Sequence, residues 1–147
     1  MEANLAAEGY TIYHPEKHDL RSQIATYKAA RQVIAAEGSA LHLLAMVADP
    51  SAKVAIVVRR PSGATRNLET HLNAFAGITP STITQLSRSW KPLGAAKPRL
   101  WMGELDMPAL QNALVQDGFI GPQPQTWAPL NPSDVRERLG DRFEEVA

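Results

Sequence analysis

The chain has 147 residues, contains no Cys, and balances 15 Lys and Arg against 15 Asp and Glu. A chain of this length can bury a core of its own without disulfides or a metal, and the absence of Cys excludes thiol catalysis, iron–sulfur clusters and Cys-based zinc sites. We expect a cytoplasmic protein with no membrane span, because no apolar run approaches the roughly 18 residues that cross a bilayer and no basic-then-apolar leader begins the chain.

The N-terminal third of the chain predicts a strand, a helix and a second strand. Residues 9–13 form a β-branched and aromatic run that favours a strand. Asp19 is a good N-cap for a helix with apolar residues at helical spacing, which we expect to end near Ala30. The apolar run 32–36 predicts a buried strand, which stops at the following Glu-Gly pair.

The next two elements set the fold class. Ser39 is expected to cap a helix over residues 40–49, and the near-continuous aliphatic run 53–58 is typical of a parallel strand covered on both faces. An alternation of strand and helix over residues 10–58 indicates right-handed crossovers. We therefore predict an α/β fold with a Rossmann-like open parallel sheet and flanking helices.

The second half of the chain shows weaker patterns. They predict an amphipathic helix over residues 65–76, with Leu68, Leu72 and Phe75 on its apolar face. Loose strands are expected over 81–90 and 100–105, and a helix that begins at Pro108 and ends at Gly118. A Pro-rich strap over 121–132 and a short charged helix over 133–139 follow. We expect residues 1–120 to form one domain around the Rossmann-like sheet and residues 121–147 to add the strap and the last helix.

The loop after the strand at 32–36 is the first candidate site, since ligands of open α/β sheets bind beyond the carboxyl ends of strands. Gly38 allows close backbone approach, Ser39 supplies a hydroxyl, and the amides of Ala40, Leu41 and His42 begin a helix with a positive end. Such a turn can hold a phosphate. The alternative is a capped turn that binds nothing.

Two further side chains of this loop are candidate catalytic bases. Glu37 suits a sugar hydroxyl, because carboxylates at strand ends commonly bind ribose in nucleotide folds; alternatively it pairs with an Arg such as Arg59. His42 could donate to a phosphate or hexose oxygen, or it could bond a backbone carbonyl. A nucleophile–base pair of Ser39 and His42 has poor geometry, because the two residues are three apart on one turn.

Arg59 and Arg60 follow the strand at 53–58 and suit a diphosphate through their planar guanidinium groups. They lie in a basic segment, because residues 51–100 hold eight Lys or Arg against Glu69 alone. The alternative is a set of solvated loop charges that the acidic C-terminal segment neutralises. We expect no nucleic-acid partner, because no aromatic stacking pattern accompanies the arginines, and no metal ligands at His14 and His18, whose spacing straddles a Pro.

A resemblance extends this prediction. Residues 8–16 (EGYTIYHPE), Ser22-Gln23-Ile24, residues 30–34 (ARQVI) and residues 37–42 (EGSALH) resemble glycosyltransferase family 61, over about residues 5–60. Many members have His-Gly-Ala where this chain has Glu37-Gly38-Ser39, so the role of that His does not transfer.

The resemblance implies the C-terminal, donor-binding half of a two-domain GT-B glycosyltransferase of the capsular polysaccharide type. Such an enzyme moves a sugar from a nucleotide diphosphate sugar to a carbohydrate hydroxyl, with no other cofactor expected. The acceptor-binding half would lie ahead of Met1 or on a partner chain. The alternative is a non-catalytic nucleotide or phosphate-binding module, either truncated or completing a partner chain.

Overall fold

The computed structural model describes residues 1–94 and 97–146. The chain divides into two compact units. Unit 1 comprises Met1–Ile56 and Thr65–Thr82, and unit 2 comprises Val57–Ala64 and Ile83–Ala147. The chain therefore leaves unit 1 near the end of its second strand, returns to it for residues 65–82, and then completes unit 2.

Unit 1 is built around a parallel sheet with the strand order β1-β2-β3. Its elements in chain order are helix α1 (Glu2–Ala7), a 3₁₀ turn (Pro15–Lys17), helix α2 (Leu20–Ala29), strand β1 (Gln32–Ala36), helix α3 (Ala40–Val47), strand β2 (Lys53–Val57), helix α4 (Thr65–Ala76) and strand β3 (Ser81–Ile83). The last residues of β2 and β3 belong to unit 2. The strand-helix alternation that the sequence predicts is thus present from β1 onward.

The core of unit 1 is aliphatic. Helix α3 packs against α4 and against α2, and Leu44, Ile56 and Leu72 are among the most deeply buried side chains. The buried cluster consists of Leu41, Leu44, Ala45, Ala52, Val54, Ile56, Leu68, Leu72, Ala76 and Ile78. Phe75, which the sequence places on the apolar face of α4, is 61% exposed, so that part of the prediction is wrong.

The predicted strand over residues 9–13 is also wrong. Tyr10 to Tyr13 adopt no regular structure, and the preceding helix α1 was not expected. The aromatic side chains pack on other parts of unit 1 instead of joining a ladder: the Tyr13 ring stacks on His18 at 4.6 Å and meets Tyr27 edge-on at 5.9 Å. Side-chain packing therefore accounts for this aromatic run without a neighbouring strand.

Unit 2 contains a second, antiparallel sheet in the order β5-β4-β6. Its strands are β4 (Leu86–Pro92), β5 (Met102–Leu105) and β6 (Phe143–Glu145), and its helices are α5 (Met107–Gln116) and α6 (Pro132–Leu139). Trp90 lies opposite Met102 on one side and Glu145 on the other. The single strand predicted over 81–90 is two strands, β3 and β4, and β6 was not predicted.

The predictions of helix α5 and of the strap are confirmed. Asp106 caps α5 by accepting a hydrogen bond from the Ala109 amide at 3.0 Å, and Gly118 follows the helix with a φ of 73°. Gln111 of α5 holds the strap through two bonds: its Nε2 donates to the Gln125 carbonyl at 2.9 Å, and its Oε1 accepts from the Trp127 amide at 2.8 Å. The fold as a whole is mixed α/β, with one parallel and one antiparallel sheet.

Candidate functional site

The turn between β1 and α3 is the predicted site, and unit 1 contains all of it. Glu37 is buried, with 3% of its surface exposed, and Gly38 and Ser39 lead from it into the helix. The prediction that Ser39 caps α3 is wrong, because its side chain makes no capping hydrogen bond. The physical reason is its backbone, which is already helical (φ −64°, ψ −23°), whereas a capping residue needs an extended backbone to bring its oxygen to the helix amides.

The amide donors of this turn are fewer than the sequence suggests. The Leu41 amide donates to the Gly38 carbonyl at 3.2 Å, and the His42 amide donates to the Ser39 carbonyl at 3.0 Å. The amides of Ser39 and Ala40 stand at the start of the helix, where no preceding helical turn supplies a carbonyl. An anion at this turn would therefore be bound by these two groups.

Gly38 is not required by the conformation of the protein itself. Its φ is not among the positive values that favour glycine, and an added Cβ would meet only the Ala36 carbonyl oxygen, at an ordinary contact distance of 3.7 Å. An alanine would therefore fit the folded chain. The fold itself does not require glycine at this position.

His42 is oriented by helix α4. Its Nδ1 lies 2.7 Å from the Nδ1 of His71, and the two rings are 4.8 Å apart and tilted by 56°. The Phe75 ring meets His71 edge-on at 5.9 Å. Sequence reasoning missed His71, because only the packing of α3 on α4 brings together two residues that are 29 positions apart.

Arg59 and Arg60 belong to unit 2. Arg59 is exposed, and its carbonyl accepts a hydrogen bond from the Gly103 amide at 2.7 Å. The guanidinium of Arg60 donates to the Arg99 carbonyl. The structure therefore groups Glu37, Gly38, Ser39, Ala40 and His42 on one turn of unit 1, while the shared cleft with Arg59 and Arg60 stays a prediction.

Unit 2 has a buried polar cluster that the sequence did not reveal. Glu104, 8% exposed, accepts two hydrogen bonds from the Arg88 guanidinium at 3.0 Å each and one from Trp90 Nε1 at 3.2 Å. The hydrogen bonds to Glu104 raise the pKa of Arg88 above its ordinary value. Arg88 and Arg136 both lie over the Trp90 ring, at 5.3 and 5.2 Å from its centroid.

Two clefts of about 300 Å³ each include Glu104 and Leu130 in their walls. One is completed by the start of α5, with Asp106, Met107 and Pro108. The other is completed largely by side chains of α6. Because the Glu104 carboxylate already binds Arg88 and Trp90, its chemistry is that of a structural ion pair.

No protein-family model, curated protein or solved structure matches the chain. Across residues 1–94 and 97–146, no group of three or more His, Asp or Glu side chains is placed to hold a metal ion. In the same residues, no helix combines the length and apolar character needed to cross a membrane.

Proposed function

We propose that unit 1 binds a nucleotide diphosphate sugar at the β1–α3 turn, and that the chain is the donor-binding half of a GT-B glycosyltransferase acting in polysaccharide synthesis. The observation that carries the proposal is the composition of this turn. A buried carboxylate, a glycine that the fold does not need and a helix start follow one another at the carboxyl end of a parallel strand. The resemblance of residues 37–42 to glycosyltransferase family 61 supports the same function.

Each part of the turn suits a different part of the donor. The amides of Ser39 and Ala40 bind a phosphate oxygen at the positive end of α3. The Glu37 carboxylate accepts a hydrogen bond from a ribose or sugar hydroxyl, a neutral donor whose binding adds no charge to a buried site.

Transfer requires more than a bound donor. An acceptor hydroxyl must be held against the anomeric carbon, and a base must take its proton. Glu37 and His42 are the candidate bases of this chain, and we assign the acceptor site to an N-terminal domain or a partner chain. We therefore expect the isolated chain to bind a nucleotide sugar weakly and not to transfer it.

The first test is titration calorimetry of the full chain against a panel of nucleotide diphosphate sugars. We expect Gly38→Ala to weaken binding by at least tenfold, because the added methyl group occupies the space in front of the turn. The same substitution leaves the fold unstrained, since its nearest contact is an ordinary one at 3.7 Å. A loss of affinity in this variant would therefore come from blocked ligand binding and not from a disturbed fold.

Gly121→Ala is the matched control. Gly121 also lacks a positive φ and has no atom within 4 Å of its added Cβ, but it lies outside the turn. Equal affinities of the Gly38→Ala and Gly121→Ala variants would contradict the proposed site. Transfer by the purified chain at about 1 per second, a rate typical of complete enzymes, would contradict the assignment of the acceptor site to another domain or chain.

A further inference from the structure

The contact between His42 and His71 brings together two nitrogen atoms that could each be a metal ligand. Both side chains are half-buried, one on α3 and one on α4, and their Nδ1 atoms approach to 2.7 Å. At this distance one nitrogen must carry a proton and the other must present its lone pair. Two protonated nitrogens would repel each other, so the contact holds a single proton between two potential ligand atoms.

The separation of the two nitrogens selects a coordination geometry. With metal–nitrogen bonds of about 2.0 Å, neighbouring ligands of a square-planar or octahedral ion are about 2.8 Å apart, whereas those of a tetrahedral ion are about 3.3 Å apart. The observed 2.7 Å matches the first arrangement. Imidazole pairs in this arrangement suit Cu²⁺ and Ni²⁺, and Cu²⁺ binds such sites more tightly.

The two imidazoles lie where α3 packs on α4, and the Phe75 ring meets His71 edge-on at 5.9 Å. Ligands that are already held near their bound positions lose little entropy when the metal arrives. Two packed helices therefore hold the two imidazoles in contact.

We propose that His42 and His71 bind one Cu²⁺ ion through their Nδ1 atoms, with solvent or an added ligand in the remaining positions. The imidazole that carries a proton on Nδ1 takes it on Nε2 instead, so both ring nitrogens that face each other become ligands. No oxidation or reduction is involved. His42 is also a candidate base of the proposed nucleotide-sugar site, but the contact with His71 is a separate observation, and its test contains no nucleotide.

The test uses the untagged full chain, CuCl₂ buffered by glycine, and the chain's other two histidines as an internal control. We expect one Cu²⁺ per chain, and an electron paramagnetic resonance spectrum with hyperfine coupling to two nitrogens. His42→Ala and His71→Ala should each weaken binding by at least tenfold. The double variant His14→Ala/His18→Ala should change the affinity less than twofold, because these two side chains lie outside the pair.

A measurement on the unaltered chain guards against variants that fail to fold. Substoichiometric Cu²⁺ should broaden the imidazole proton signals of His42 and His71 before those of His14 and His18. Broadening that begins at His14 and His18, or an affinity that survives removal of His42 and His71, would overturn the proposal. The contact would then be a hydrogen bond between two imidazoles and nothing more.

Discussion

The two units of the chain are stabilised in different ways. Unit 1 rests on an aliphatic cluster gathered from α3, β2 and α4. Unit 2 also has buried apolar residues, but polar side chains join its elements: Glu104 links β5 to two side chains of β4, and Gln111 links α5 to the strap. Aliphatic packing is non-directional, whereas each polar contact depends on one particular partner.

This difference indicates where the chain can accept a ligand site. The buried cluster of unit 1 includes none of the turn residues Glu37, Gly38, Ser39 and Ala40, so these residues can vary without loss of the cluster. In unit 2, a change in one buried polar group leaves its partner without a bond, which costs more than the bond itself contributes. The predictions below test this contrast.

The largest effect is expected in the core of unit 1. Leu72 is fully buried, and Leu72→Ala should lower the free energy of unfolding by about 3 kcal/mol, because it removes transfer energy and leaves a cavity. Phe75→Ala, on the same helix, should cost less than about 0.5 kcal/mol, because Phe75 is 61% exposed. Denaturant unfolding measures both. Similar losses from the two variants would contradict an aliphatic core centred on Leu72.

An intermediate effect is expected at the polar cluster of unit 2. Glu104→Gln should destabilise the chain by about 2 kcal/mol, because it removes the charge that pairs with Arg88 inside a buried site. Glu144→Gln is the matched control: Glu144 pairs with Lys91 at 3.1 Å on the surface of the same sheet, and such a pair contributes less than about 1 kcal/mol. If the two variants unfold alike, unit 2 does not depend on its buried carboxylate.

The smallest effect concerns the start of α2 and depends on pH. The hydrogen bond from the Ser22 amide lowers the pKa of Asp19 below its ordinary value. As the pH falls, the Asp19 carboxylate is therefore protonated in the unfolded chain before it is protonated in the folded chain. Its contribution to the stability of the fold is present above about pH 4 and is lost as the pH falls through the folded pKa.

The Asp19→Asn substitution keeps the helix cap and removes its charge. Asn caps helices about as well as Asp and does not titrate. We expect the variant to match the natural chain at neutral pH and to lose less stability between about pH 5 and pH 3, as measured by urea unfolding at each pH. A parallel decline of the two proteins would show that the Asp19 carboxylate does not contribute to acid sensitivity.

The sequence predicts the elements with strong local patterns and misses those that depend on distant partners. Helix α4 was predicted with its observed bounds, Thr65–Ala76, because Leu68 and Leu72 recur at helical spacing and Gly77, with a φ of 68°, ends the helix. Strand β6 (Phe143–Glu145) has no such local signal. It exists because it pairs with Trp90 to Pro92, a partner that lies far away in the sequence.

The candidate site shows the same limit. The position of the turn at Glu37 and Gly38 follows from the end of an apolar run, and the sequence alone predicts it. The orientation of His42 follows from His71, which belongs to another helix, and no spacing in the sequence connects the two. The capping role of Ser39 depends on backbone angles that residue type only biases.

The two hydrogen bonds of Gln111 influence which residues of the strap can be substituted during evolution. Both are made to main-chain atoms, the Gln125 carbonyl and the Trp127 amide, as in one rung of a β-ladder. Every residue has a carbonyl and all but Pro have an amide, so this attachment is indifferent to most side chains of the strap. Natural variants should therefore accumulate freely at exposed strap positions such as Gln125 and Thr126, while Gln111, which supplies both a donor and an acceptor, accepts no charged replacement.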